Sequence, residues 1–189
     1  MAETLVLGLG NILLRDEGVG VRMVERLLAR YVLPEGVRAM DGGTLGLDLL
    51  PHLQDAGRLL VVDAVQARQP AGTLIRLVGK EIPMFLDASR VSPHQDGLHD
   101  LLAVAMLKGY LPAEVVFWGV QVGTLGVGLE LSSAVAAQID KLVDKVIQEL
   151  SSWGIEAKAR GDSSQPDLVY QGDWSPVRLS CGLLPASIV

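Results

Sequence analysis

Hydrophobic and polar positions along the chain follow two alternating rhythms. Near the start, "TLVLGLG" is an apolar run closing on glycines, which predicts a buried strand. The next stretch, "GVGVRMVERLLARYVL", spaces Val21, Val24, Leu27, Leu28 and Tyr31 by threes and fours, with Arg22, Glu25 and Arg26 opposite. That spacing predicts an amphipathic helix, ended by "PEG". A short strand "VRAM" and a turn "DGGT" precede a second helix, "LGLDLLPHLQDAG", with Thr44 as N-cap and Pro51 as a kink or break. "RLLVVDAV" is the most strand-like run, and "GTLIRLVG" follows as another strand. A loop through "DASRVSPHQ" then enters the helix "DGLHDLLAVAMLKGY", where Leu98, Leu101, Leu102, Ala105 and Met106 share a face. The cycle closes with the strand "EVVFWGVQV" and a long helix, "SSAVAAQIDKLVDKVIQELSSWG", from an N-cap at Ser132 to a stop at Gly154.

Strands alternating with helices predict a mostly parallel sheet with helices on both faces, because right-handed crossovers place them there. The expected fold is therefore α/β, a three-layer α/β/α domain over residues 1–156. Beyond that point the periodicity stops, and residues 157–189 mix Ser, Pro and Gly with scattered apolar residues such as Tyr170 and Trp174. The expectation is a C-terminal tail, flexible or docked on the domain or a partner.

Composition narrows the class. The chain has 189 residues, 49% of them hydrophobic, and a mean hydropathy of +0.35, enough for one well-filled core. Its apolar runs stop short of the roughly 20 residues needed to cross a membrane, so no span is expected. Glu3 stands where a secretory signal would carry basic residues, and the lone Cys181 can form no intrachain disulfide. Both features lead us to expect a cytoplasmic protein. A net charge of −6 counts against nucleic acid as partner.

The first strand ends in a turn that raises the question of chemistry. "GLGNIL" has Leu13 where a dinucleotide fingerprint needs its third glycine, and the turn leads into Asp16 and Glu17, which would repel phosphate. Asp16 is placed to cap the coming helix, and Glu17 to project from its first position. Both acids acting only as helix caps is an equally economical reading of this stretch. Asp63 ends four apolar residues at the carboxyl end of a central strand, the edge where open α/β sheets bind ligands. Its alternative role is to cap a turn or pair with an arginine. His94, after Pro93 in "SPHQ", adds an imidazole. Glu17, Asp63 and His94 together would suit a borderline divalent ion such as nickel, zinc or iron, with coordination positions left open. His52 and His99 are expected at the surface.

These segments also carry a family resemblance. "LVLGLGNILLRDEGVGVRMVERL", "DGGTLGLDLL", "VVDA" and "SPHQDGLHDLL", in this order and at these separations, resemble the [NiFe]-hydrogenase maturation endopeptidases over roughly residues 4–156. The resemblance implies a phosphorylase/hydrolase-like α/β fold. It also implies an endopeptidase that removes a C-terminal extension from the nickel-loaded large-subunit precursor of a [NiFe]-hydrogenase. By the same resemblance the metal-contacting residues are Glu17, Asp63 and His94. Asp41 of "DGGT" joins Glu17 and Asp63 as a site residue, and Asp16 stays a cap or an outer partner. Two versions of the metal's role stand open: the trio holds a catalytic ion of its own, or it recognises the nickel carried by the precursor. The second is preferred because the family's substrate carries nickel. No H-E-x-x-H helix or G-x-S-x-G elbow competes with either version. A non-enzymatic nickel chaperone or sensor is the alternative function. The start also resembles peptidyl-tRNA hydrolase, but that family follows its glycine turn with a histidine-bearing segment, and here no histidine precedes His52.

Overall fold

The computed structural model describes residues 3–88 and 93–161, leaving out the side chains of residues 87–96. Its strands are β1 (Glu3–Leu9), β2 (Tyr31–Val32), β3 (Val37–Gly43), β4 (Ala56–Val65), β5 (Leu74–Val78), β6 (Glu114–Gln121) and β7 (Lys158–Ala159). Its α-helices are α1 (Val19–Arg30), α2 (Leu50–Leu53), α3 (Glu81–Ala88), α4 (Pro93–Lys108), α5 (Ser133–Ala136) and α6 (Ile139–Ser152). Five strands form the main sheet in the order β3-β1-β4-β6-β5. All its pairs are parallel except β5 against β6, so the expected parallel-dominated α/β sheet is present with an antiparallel edge.

The central strands read as unbroken apolar runs because both of their faces are covered. Side-chain alternation splits them between two cores. Leu5, Leu7, Leu59, Val61 and Phe117 pack with Leu98, Leu101 and Ala105 of α4. Val6, Leu60, Val62, Val116 and Trp118 pack with Val24 and Leu27 of α1 and with Leu142 and Val146 of α6. Each fully buried Leu or Val contributes about 1.5–3 kcal/mol. The antiparallel edge is protected by charge: Arg76 of β5 forms a forked ion pair with Glu149 of α6, at 2.6 and 2.9 Å.

Several local expectations are corrected. Thr44 caps no helix. Gly46, at φ +53°, interrupts the backbone, and a 3-10 turn over Gly46–Leu49 starts from Leu45 before α2. Pro51 does not kink α2; it occupies the first turn, where its missing N–H leaves no bond unmade. The long last helix is two, α5 and α6, joined through Ala137 and Gln138. Met106 is 70% exposed, since Tyr110 covers the end of that core instead. The segment read as loop before "SPHQ" contains α3, whose Ile82 and Leu86, four residues apart, are both buried. His52 and His99 are both half-buried rather than at the surface.

Packing continues past residue 156. β7 pairs with β2, and the Arg160 N–H donates to the Arg30 carbonyl at 2.8 Å. The expected tail beyond residue 161, with Tyr170, Trp174 and Cys181, lies outside the described residues. Among the described residues no helix is long and apolar enough to cross a membrane.

Candidate active site

The turn after β1 is shaped by local bonds before any ligand is considered. Gly10 sits at φ +123°, and a Cβ there would fall 1.7 Å from the Glu17 carbonyl oxygen. Only glycine fits so close an approach. The Asn11 side chain accepts the Leu13 N–H at 3.0 Å while its carbonyl accepts the Leu14 N–H at 3.1 Å, a self-closing turn of the kind asparagine favours. A 3-10 turn, Arg15–Gly18, then delivers Asp16 and Glu17 to the foot of α1. A Cβ on Gly20 would lie 2.2 Å from the Val62 carbonyl oxygen and 2.4 Å from that of Leu9. The helix start is thus pressed onto the ends of β1 and β4, which brings Glu17 beside the strand end that carries Asp63.

Asp63 is fully buried and Glu17 is 2% exposed. Asp63 pairs in register with Gly119 of β6, one residue beyond the level at which Val62 meets Gly8 of β1. Alternation puts its side chain on the face of Leu59, Val61 and Val65, the face that α4 covers. One of its oxygens accepts the Ala64 N–H at 2.7 Å. Gly97 of α4 packs against Gly46, in the loop after β3, so the first turn of α4 lies at this same carboxyl edge of the sheet. His94 is the second residue of that turn and not part of a preceding loop; its side chain lies outside the described residues. Among the described residues no three His, Cys, Asp or Glu side chains are grouped for a metal ion.

Asp41 is carried elsewhere. It pairs with Gly8 and so shares the α1 face with Ala39, opposite to the face of Asp63. Its carboxyl is pushed above the usual range by lost hydration, an effect opposed by the Gly43 N–H at 2.8 Å and reinforced by the charge of Glu25. An apolar recess lies on the Asp63 side of the sheet, lined by Leu9, Thr44, Leu49, Leu98 and Leu101.

Asp16 does not cap α1. The N-cap is Gly18, without a side-chain bond, and the buried Asp16 carboxylate turns instead to the loop after β6. It accepts N–H bonds from Gly123 at 2.8 Å, Thr124 at 2.9 Å and Ser132 at 2.6 Å, and the Ser132 hydroxyl at 2.8 Å. Burial would raise its pKa, but these bonds outweigh that effect and hold it below the ordinary value. Ser132 keeps the extended N-cap backbone of α5 but spends its hydroxyl on Asp16 rather than on the helix. No local pattern in the sequence announced this contact, because its partners stand 107 to 116 residues from Asp16.

Two buried carboxylates at the carboxyl edge of a parallel-dominated sheet are hard oxygen donors, and they suit a divalent cation. A family model described as hydrogenase maturation protease matches residues 21–149, a stretch that includes Asp63 and His94. The chain is 45% identical over 168 residues to the hydrogenase expression/formation protein HupD of Rhodobacter capsulatus, covering 88% of this chain and 80% of that protein. It is 40% identical to the hydrogenase 2 maturation protease of Escherichia coli K12, covering 82% of this chain and 95% of that protein. Among solved structures, it is similar to the hydrogenase maturating endopeptidase HybD from E. coli, with a TM-score of 0.81 at 38% identity over 85% of this chain and 99% of the other. A HybD maturation protease from Thermococcus kodakarensis gives 0.66 at 29% identity, over 78% and 98%. The fold and these matches agree: the chain belongs to the hydrogenase maturation protease family.

Proposed function

We propose that this protease acts on the large-subunit precursor of a [NiFe]-hydrogenase and removes its C-terminal extension once nickel is in place. The observation that carries the reading is the pair of buried carboxylates, Glu17 and Asp63, delivered to one sheet edge by a glycine turn and a strand end. In this reading Glu17, Asp63 and His94 contact the nickel that the precursor brings, so the metal is part of the substrate and its presence is checked before cutting. A divalent ion so held supplies Lewis acidity toward a carbonyl or a water molecule. The chain's own residues do the rest. Glu17 and Asp63 offer negative charge in a setting of low polarity, where it attracts a cation strongly. Asp41, exposed on the other face of the sheet, is the third candidate site residue. The proposed setting is the reducing cytoplasm, where the lone Cys181 stays a thiol.

The test is an intact-mass measurement of nickel-loaded and nickel-free precursor incubated with the protein. Loss of a C-terminal peptide only from the nickel-loaded form supports the proposal. Equal cutting of both forms would remove the nickel check, and metal binding without any cutting would favour the chaperone or sensor function.

A further inference from the structure

The turn that holds Glu17 is stitched to the loop after β6 along its whole length. The Arg15 N–H donates to the Gly128 carbonyl and the Gly128 N–H to the Leu13 carbonyl, both at 2.9 Å. Leu14 and Gly128 form a parallel bridge, and the Glu17 N–H in turn donates to Leu14 at 3.2 Å. Gly128 lies against the Arg15 side chain, where a Cβ would come within 3.0 Å of the guanidinium Nε. Asp16 ties down both ends of the loop, Gly123 and Thr124 at one and Ser132 at the other. This double strip is therefore held in shape by hydrogen bonds, yet it turns large aliphatic side chains outward: Val127 is 85% exposed, Leu129 60% and Leu13 56%.

Holding such side chains in water on an ordered backbone gains nothing for the fold, since none of them enters either core. It does prepare a binding surface, because the backbone ordering that association would otherwise require is already done. None of the three lines the apolar recess, and all are more than half exposed, which fits a protein surface better than a small ligand. Continuity with the site selects the partner. Glu17 and Asp63 are buried at the floor of the sheet edge, so a segment to be cut must reach down to them while the body it hangs from rests on the rim.

We propose that the lip formed by Leu13, Val127 and Leu129 is the docking surface for the folded body of the substrate precursor, received through an apolar patch beside its C-terminal extension. This rests on the protease reading above, and it assigns recognition to residues separate from the buried carboxylates. Asp16 is the positioning residue that keeps the lip in register with Glu17.

The experiment measures the dissociation constant of full-length protein for nickel-loaded precursor in a Glu17→Gln background, so that cutting does not intervene. Val127→Ser and Leu129→Ser are compared with Leu107→Ser, which is 87% exposed but ends α4 at the opposite edge of the sheet. Each lip variant is expected to weaken binding at least about tenfold, as central apolar contacts do, while Leu107→Ser leaves it unchanged. Equal affinities for lip variants and parent overturn the proposal even if the wild-type chain cuts the precursor. Tight, lip-dependent binding without cutting by the wild-type chain would instead overturn the protease reading alone, and no binding by either the Glu17→Gln parent or the wild-type chain overturns both. A lip variant that changes the light-scattering mass but not precursor affinity assigns the surface to self-association and also overturns the proposal.

Discussion

Replacing Asp16 with asparagine keeps the shape of the side chain and removes its charge. The carboxylate accepts three bonds on one oxygen and a 2.6 Å bond from the Ser132 N–H on the other. The best orientation of an amide keeps the first oxygen and turns its NH2 toward the Ser132 N–H, leaving donor against donor. One unmade buried bond costs about 1–3 kcal/mol, and each remaining bond weakens by about 0.5–1 kcal/mol as its acceptor loses charge. Toward the lower end of these terms, the expected loss is about 3 kcal/mol at pH 7. Urea unfolding reads this as a midpoint lowered by about 1.5 M, for a slope of about 2 kcal/mol per M. The pH dependence carries a definite sign. The folded pKa of Asp16 lies below its ordinary 3.8, so its stabilisation is complete above that value and is lost as pH falls through the lower folded value. The gap between wild type and Asp16→Asn therefore narrows toward pH 2–3. A gap under about 0.5 kcal/mol at pH 7, within what a neutral surface change causes, would refute the reasoning, as would a gap that stays constant into acid.

Glu17→Gln and Asp63→Asn are each expected to lower precursor cleavage at least about 100-fold, the lower end for a lost catalytic group, while circular dichroism stays native; near-wild-type rates would remove that residue from the chemistry. Gly20→Ala should cost about 3 kcal/mol or more, because its Cβ meets the backbone oxygens of Val62 and Leu9 and neither strand can retreat; a thermal midpoint within error of wild type would contradict the packing described. Glu149→Gln should lose about 1–3 kcal/mol by weakening the fork to Arg76 and the Trp118 Nε1–H bond. That loss should shrink in acid, because Arg76 holds Glu149 below the usual carboxylate range; tryptophan-monitored unfolding at pH 7 and pH 3 checks both statements. Asp41→Asn should be at least as stable as wild type at pH 7 and lose that advantage below pH 4, since an acid with a raised folded pKa destabilises the fold only while ionised.

The amino-acid sequence by itself determined the elements whose signal is local. Alternating apolar runs and three-to-four spacing gave away β1, α1, β4 and β6, because burial on one or both faces writes a period into the residues themselves. Glu17 and Asp63 stood out as candidates for a related reason: a carboxylate among apolar strand residues or beside a glycine-rich turn is costly to bury unless it has a partner. α3 was equally local, through Ile82 and Leu86, but the prolines and serines around it hid that pair.

Tertiary structure alone decided what depends on residues distant in the chain. Asp16 and Glu17 are adjacent acids, and only the folded molecule sends one to the loop 107 to 116 residues away and leaves the other buried at the foot of α1. The register of β3 on β1, not any motif, turned Asp41 to the α1 face and away from that of Asp63. The antiparallel placement of β5 at the sheet edge and the pairing of β7 with β2 in a separate two-stranded sheet likewise join residues distant in the chain. Local preference acts over a few bonds, whereas a hydrogen bond across a hundred residues forms only once the rest of the chain has closed the loop between its partners.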